Sequence, residues 1–108
     1  MNELIKTINN DKKSADLLFT NKFYTQATIL YFKTLFAISD YIIQKETGEI
    51  IKNHTQRFQI LKSKFNELYQ INDKYFPIYQ QTYSTEIEKN ICEEIKKNVE
   101  LLIKKYNL

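Results

Sequence analysis

The stretch KFYTQATILYFKTLFAISDYIIQKE, residues 22–46, decides the fold. Phe23, Ala27, Leu30, Ala37 and Tyr41 recur at three- and four-residue intervals, with Thr34 filling the gap, which is the stripe of a helix facing a core. A second stripe, Tyr31, Leu35, Ile38 and Ile42, runs beside it, and Ile29, Phe32, Phe36 and Ile43 add a third side. A surface helix carries one apolar stripe; a helix that is apolar over most of its circumference is surrounded. Residues 22–46 therefore read as the buried spine of a small helical bundle. The aromatics left over, Tyr24, Tyr31, Phe32 and Phe36, are the candidate contacts for a second copy of the chain.

Composition agrees with helices. The chain has 108 residues, which predicts a single domain over 1–108. It contains one Gly and one Pro, too few turn breakers for an all-β fold. Hydrophobic content of 43% and charged content of 27% place it with globular proteins rather than disordered ones. The net charge of +3 is too mild to demand a nucleic-acid partner, and Arg57 is the only arginine. Cys92 is the only cysteine, which excludes an internal disulfide and a cysteine-based metal site. Met1 to Asn10 lacks the apolar run of a signal peptide. The most apolar stretch, 29–43, is interrupted by Lys33 and Asp40 and is shorter than the roughly 20 residues needed to span a bilayer. The expectation is a soluble, cytoplasmic protein with no membrane association.

Outward from the spine, Leu4, Ile8, Ala15, Leu18 and Phe19 predict a first helix over 3–19, with a kink or a later start allowed near Asn9–Asp11. Thr20 or Asn21 is positioned to cap the spine, and the short connection forces an antiparallel hairpin. Gly48 ends the spine as a left-handed cap. Asn53 to Tyr69 is the third helix, opened by a capping box of Asn53 and Gln56 and striped by Phe58, Leu61, Phe65 and Leu68. In QINDKYFPIYQQTYS, residues 70–84, Pro77 predicts a break or the first turn of a short helix. The last helix starts with a Thr85–Glu88 capping box and is striped by Ile87, Ile91, Ile95, Val99, Leu102, Ile103 and Tyr106. The sum is an all-α, antiparallel up-down bundle of four main helices plus one short helix, with a radius of gyration of roughly 13 Å.

Three stretches together resemble the HEPN superfamily (higher eukaryotes and prokaryotes nucleotide-binding domains). They are ADLLFTNKFYTQATILYFKTLFAISDYII at 15–43, NHTQRFQILK at 53–62 and YQQTYSTEI at 79–87, and the likeness covers about residues 12–106. The resemblance implies a four- or five-helix bundle, frequent homodimers and often a nucleotidyltransferase partner. Active members are metal-independent ribonucleases that carry an Arg followed four to six residues later by His. Here His54, the only histidine, precedes Arg57, and Gln80 and Gln81 stand where an Arg would be expected. The implied chain is a non-catalytic binding module for nucleotide or RNA that needs no cofactor. The alternatives are a divergent ribonuclease of a toxin–antitoxin type system and a structural subunit of a larger complex.

The candidate ligand residues are His54, Arg57, Tyr75, Tyr79, Gln80 and Tyr83. His54 and Arg57 share a helical face, the geometry of a base beside a charge, but base chemistry needs a positioned partner, and capping or packing is the simpler role. Tyr75, Tyr79 and Tyr83 are spaced by four, as a stacking platform for bases would be, or as rings packed on the bundle with their hydroxyls outward. Cys92 has Glu93 and Glu94 next to it and no adjacent cation, so it reads as a packed thiol. Glu86, Glu88, Glu93 and Glu94 form a solvated face rather than an inward carboxylate metal site.

Overall fold

The computed structural model describes residues 2–108 and contains five helices: α1 (Asn2–Thr20), α2 (Tyr24–Thr47), α3 (His54–Lys64), α4 (Asn66–Gln81) and α5 (Lys89–Lys105). Each of the other four packs on α2. In the middle of α2, Tyr31, Phe32, Leu35, Ile38 and Ile43 are at most 1% exposed, as a surrounded spine requires. The radius of gyration is 13.2 Å. Among the described residues no helix is long and apolar enough to cross a membrane.

That burial corrects the expected self-contact. Tyr31, Phe32 and Phe36 are covered within one chain, so they are core and have no ring surface to offer a second copy. Tyr24 stays half-buried, edge-on to Phe19 at 5.5 Å in the corner between α1 and α2.

α1 runs through Asn9–Asp11 without a break, because Ile8 and Ala15 on either side are both held in the core. Neither Thr20 nor Asn21 caps α2. The chain instead turns at Lys22, whose φ of 67° is left-handed, and Phe23 N donates to Leu18 O at 2.9 Å while Lys22 N donates to Phe19 O at 3.0 Å. This is the double closure that usually recruits glycine. The same device ends α5 at Asn107, with φ 58° and Leu108 N donating to Ile103 O. Gly48 closes α2 as expected, with φ 79° and its N–H on Gln44 O.

The helix expected over 53–69 is two helices. Phe65, at φ −134° and ψ 67°, ends α3 and begins α4 in a single residue. Its N–H still reaches Leu61 O and its carbonyl still accepts from Tyr69 N, so the break leaves no orphaned backbone group on that residue. Pro77, the expected break, lies inside α4. It is exposed, as is Asp73, so the Asp73 carbonyl that loses its partner faces water. The short extra helix is thus 16 residues long.

α5 does not begin on a Thr85–Glu88 capping box. Its N-cap is Glu88, without a side-chain cap bond. The approach to it is fixed from α2: Thr25 Oγ1 donates to Glu86 Oε2 at 2.6 Å and accepts from Ile87 N at 2.8 Å. Once docked, α5 buries Cys92, Ile95, Val99 and Leu102. Desolvation at this site pushes the Cys92 thiol pKa up, which keeps it protonated and inert.

Two polar joins flank α2. Toward α1 and α5, Tyr31 Oη donates to Asp16 Oδ1 at 2.5 Å, and Lys12 Nζ bridges Asp16 and Glu100 at 2.5 and 3.2 Å. Toward α3, Arg57 meets Asp40. A smaller contact toward α4 has Asn72 Nδ2 donating to Ser39 Oγ at 3.0 Å and to Leu68 O at 2.8 Å, while the buried Asn72 Oδ1 has no partner.

Candidate functional site

α3 begins on a true cap: Gln56 N donates to Asn53 Oδ1 at 2.8 Å, and Gln56 Oε1 turns back to accept from Lys52 N. That cap fixes the first turn and so places His54 and Arg57 against α2. Arg57 is 8% exposed. Its Nε and Nη2 donate to the two oxygens of Asp40 at 2.6 and 2.9 Å, a bidentate fork. Its guanidinium carbon lies 4.7 Å from the Phe36 ring centroid, a cation–π contact.

Arg57 Nη1 also approaches His54 Nδ1 at 2.5 Å. Guanidinium has donors only, so Nδ1 must accept, and the imidazole proton is confined to Nε2. Desolvation lowers the pKa of His54, and the positive charge of Arg57 lowers it further, against a smaller opposing effect of Asp40. His54 is therefore a neutral imidazole with its proton on Nε2. With Nδ1 occupied and Nε2 protonated, neither nitrogen is free to take a proton from a substrate.

Aromatic rings close around this chain of contacts. His54 lies 4.8 Å from Phe36, 5.4 Å from Phe76 and 6.3 Å from Tyr79 between ring centroids. Tyr79 also sits 5.3 Å from both Phe32 and Phe36. Tyr83, 78% exposed, stands edge-on to Tyr79 at 5.8 Å, and its hydroxyl donates to Tyr79 Oη at 3.3 Å.

Four of the six expected ligand residues, His54, Arg57, Tyr79 and Tyr83, thus come together. Tyr75 does not. It is turned toward α5, where its hydroxyl donates to Glu94 Oε1 at 2.7 Å and accepts from Asn98 Nδ2 at 3.1 Å. Gln80 is exposed on α4, outside the ring contacts. Comparison with protein-family models, curated proteins and solved structures returned no match. Two participants escape a reading of the sequence for ligand groups. Asp40 is the only acid between Lys22 and Lys45, and a lone carboxylate in a buried run needs a cation, of which Arg57 is the least hydrated type. Phe76 is hidden behind Pro77, whose expected break removes it from any helical register. Among the described residues no three His, Cys, Asp or Glu side chains converge as metal ligands would.

Proposed function

We propose that this chain is a non-catalytic binding module of the HEPN type, an antiparallel up-down bundle that associates with a second copy and with a nucleotidyltransferase partner and presents the His54–Tyr79–Tyr83 face to nucleotide or RNA. The observation that carries the non-catalytic half is the Arg57 Nη1 contact on His54 Nδ1. It leaves the only imidazole of the chain as a hydrogen-bond donor and removes it as a general base, so the ribonuclease alternative has no base at this face. Arg57 is committed to Asp40, so the face is nearly neutral and its offer to a ligand is ring surface, one imidazole N–H and the Tyr83 hydroxyl. Those groups suit the stacking and edge recognition of a base better than the neutralisation of a phosphate.

Two measurements test this reading. Incubation of the purified protein with labelled RNA is expected to leave the RNA intact; cleavage that His54→Ala abolishes overturns the non-catalytic reading. In a proton NMR titration with a mononucleotide and a short single-stranded RNA, the ring signals of His54, Tyr79 and Tyr83 are expected to shift, and an unchanged spectrum overturns the binding half.

A further inference from the structure

The outer face of α5 carries a pattern that fits its own copy. Glu93, Lys97, Glu100 and Lys104 follow one another at intervals of four, three and four, so they lie on one side of the helix, away from the buried Cys92, Ile95, Val99 and Leu102. The signs alternate: acid, base, acid, base. Beside the middle of this stripe Leu101 is 66% exposed. Lys97, Glu100, Leu101 and Lys104 line an open groove of about 320 Å³.

An alternating stripe is self-complementary when one copy is reversed. Laid antiparallel about a two-fold axis, Glu93 of one copy faces Lys104 of the second, and Lys97 faces Glu100, with every pair made twice. The same operation puts both Leu101 side chains on one side of the contact, over the two grooves. With two acids and two bases the stripe is neutral overall, so it offers no net attraction to a uniformly acidic or basic partner and selects instead for its own charge order. The existing pairs do not exhaust these charges. Within one chain Lys97 meets Glu93 at 3.5 Å, a surface pair worth little alone, and Glu100, 42% exposed, meets Lys96 at 3.1 Å and Lys12 of α1 at 3.2 Å.

We propose that α5 is the surface on which two copies of this chain associate, antiparallel, through the Glu93–Lys97–Glu100–Lys104 stripe and Leu101. The inference rests on the self-association half of the reading above and moves it from α2 to α5. One helix face is a small contact, so the dimer is weak, concentration-dependent and sensitive to salt.

Sedimentation equilibrium of the full chain across the micromolar range tests it, with Glu93→Lys and Lys104→Glu alone and mixed. Lys104 is exposed and Glu93 is half-buried, and far-UV circular dichroism checks that each variant keeps its helices. Each swap places two like-charge pairs in its own dimer and is expected to weaken association by roughly tenfold or more. The equimolar mixture restores both ion pairs in the heterodimer and is expected to recover the wild-type mass. Leu101→Gln is expected to weaken association as well. A dimer untouched by either swap places the contact elsewhere and overturns this inference while self-association stands. A wild-type monomer throughout overturns both, and nucleotide binding is still read independently from the His54 and Tyr83 ring signals.

Discussion

The two polar joins beside α2 differ in how much water they see. On the α3 side, the Arg57 and Asp40 side chains are 9% and 16% exposed. On the α1 and α5 side, Asp16 and Glu100 are 39% and 42% exposed around a Lys12 that is 18% exposed. The first join is nearly dry, saturated by a bidentate fork and roofed by Phe36. In the second, desolvation pulls the pKa of Lys12 down, but hydrogen bonds to Asp16 and Glu100 outweigh it and raise it. The difference teaches where charge acts as structure. A dry pair is costly to break because the surviving charge has no solvent, whereas a wet pair passes its charge back to water.

The contrast breaks first at Arg57. Arg57→Ala leaves Asp40 uncompensated against Phe36 and is expected to cost about 3 kcal/mol in urea unfolding. Tyr31→Phe removes one donor from Asp16, which keeps Lys12 and water, and is expected to cost about 1 kcal/mol. Equal losses in the two variants would show that the joins do not differ. Next in size is a gain away from both. Lys22→Gly relieves a left-handed backbone and is expected to stabilise by about 1 kcal/mol, seen as a higher urea midpoint with an unchanged slope.

The smallest effect is a pH dependence confined to the dry side. His54 has a folded pKa below its unfolded value, so the unfolded chain binds the proton more readily. Stability is thus full above the unfolded pKa of about 6.5 and falls as pH drops through that value toward the folded one. Protonated His54 presents a donor to Arg57 where it now accepts. The melting temperature is expected to decline between about pH 7 and 5, and His54→Gln is expected to flatten that component. A profile identical in the variant would remove His54 from the account.

How much was legible follows the same division. α2 and α5 carry long aliphatic stripes, and burial follows those stripes closely at Leu35, Ile38, Ile95, Val99 and Leu102. The all-helical fold is therefore readable from periodicity. The α3–α4 side is less so, because its geometry is set by tertiary contacts that leave no local mark. Phe65 breaks a helix with no glycine or proline to announce it, while exposed Pro77 fails to break one. His54, Arg57, Tyr79 and Tyr83 were identifiable by residue type. Their assembly depends on Asp40, whose meaning lies in its isolation within an apolar run. The aromatics on α2 show a further limit: periodicity reveals that a helix is surrounded, but not whether its own chain or another supplies the surroundings.

The Thr25 hydroxyl bound to Glu86 and Ile87 has a consequence for the order of assembly. The α1–α2 hairpin closes across three residues, but this contact closes across sixty-one. The entry to α5 is therefore defined only after the start of α2 is in place, and the loop-closure entropy of that long segment is incurred late. Until then the side of α2 that receives Cys92, Ile95 and Val99 stays bare. A growing or truncated chain that lacks its final helix carries that apolar strip exposed to whatever else is nearby.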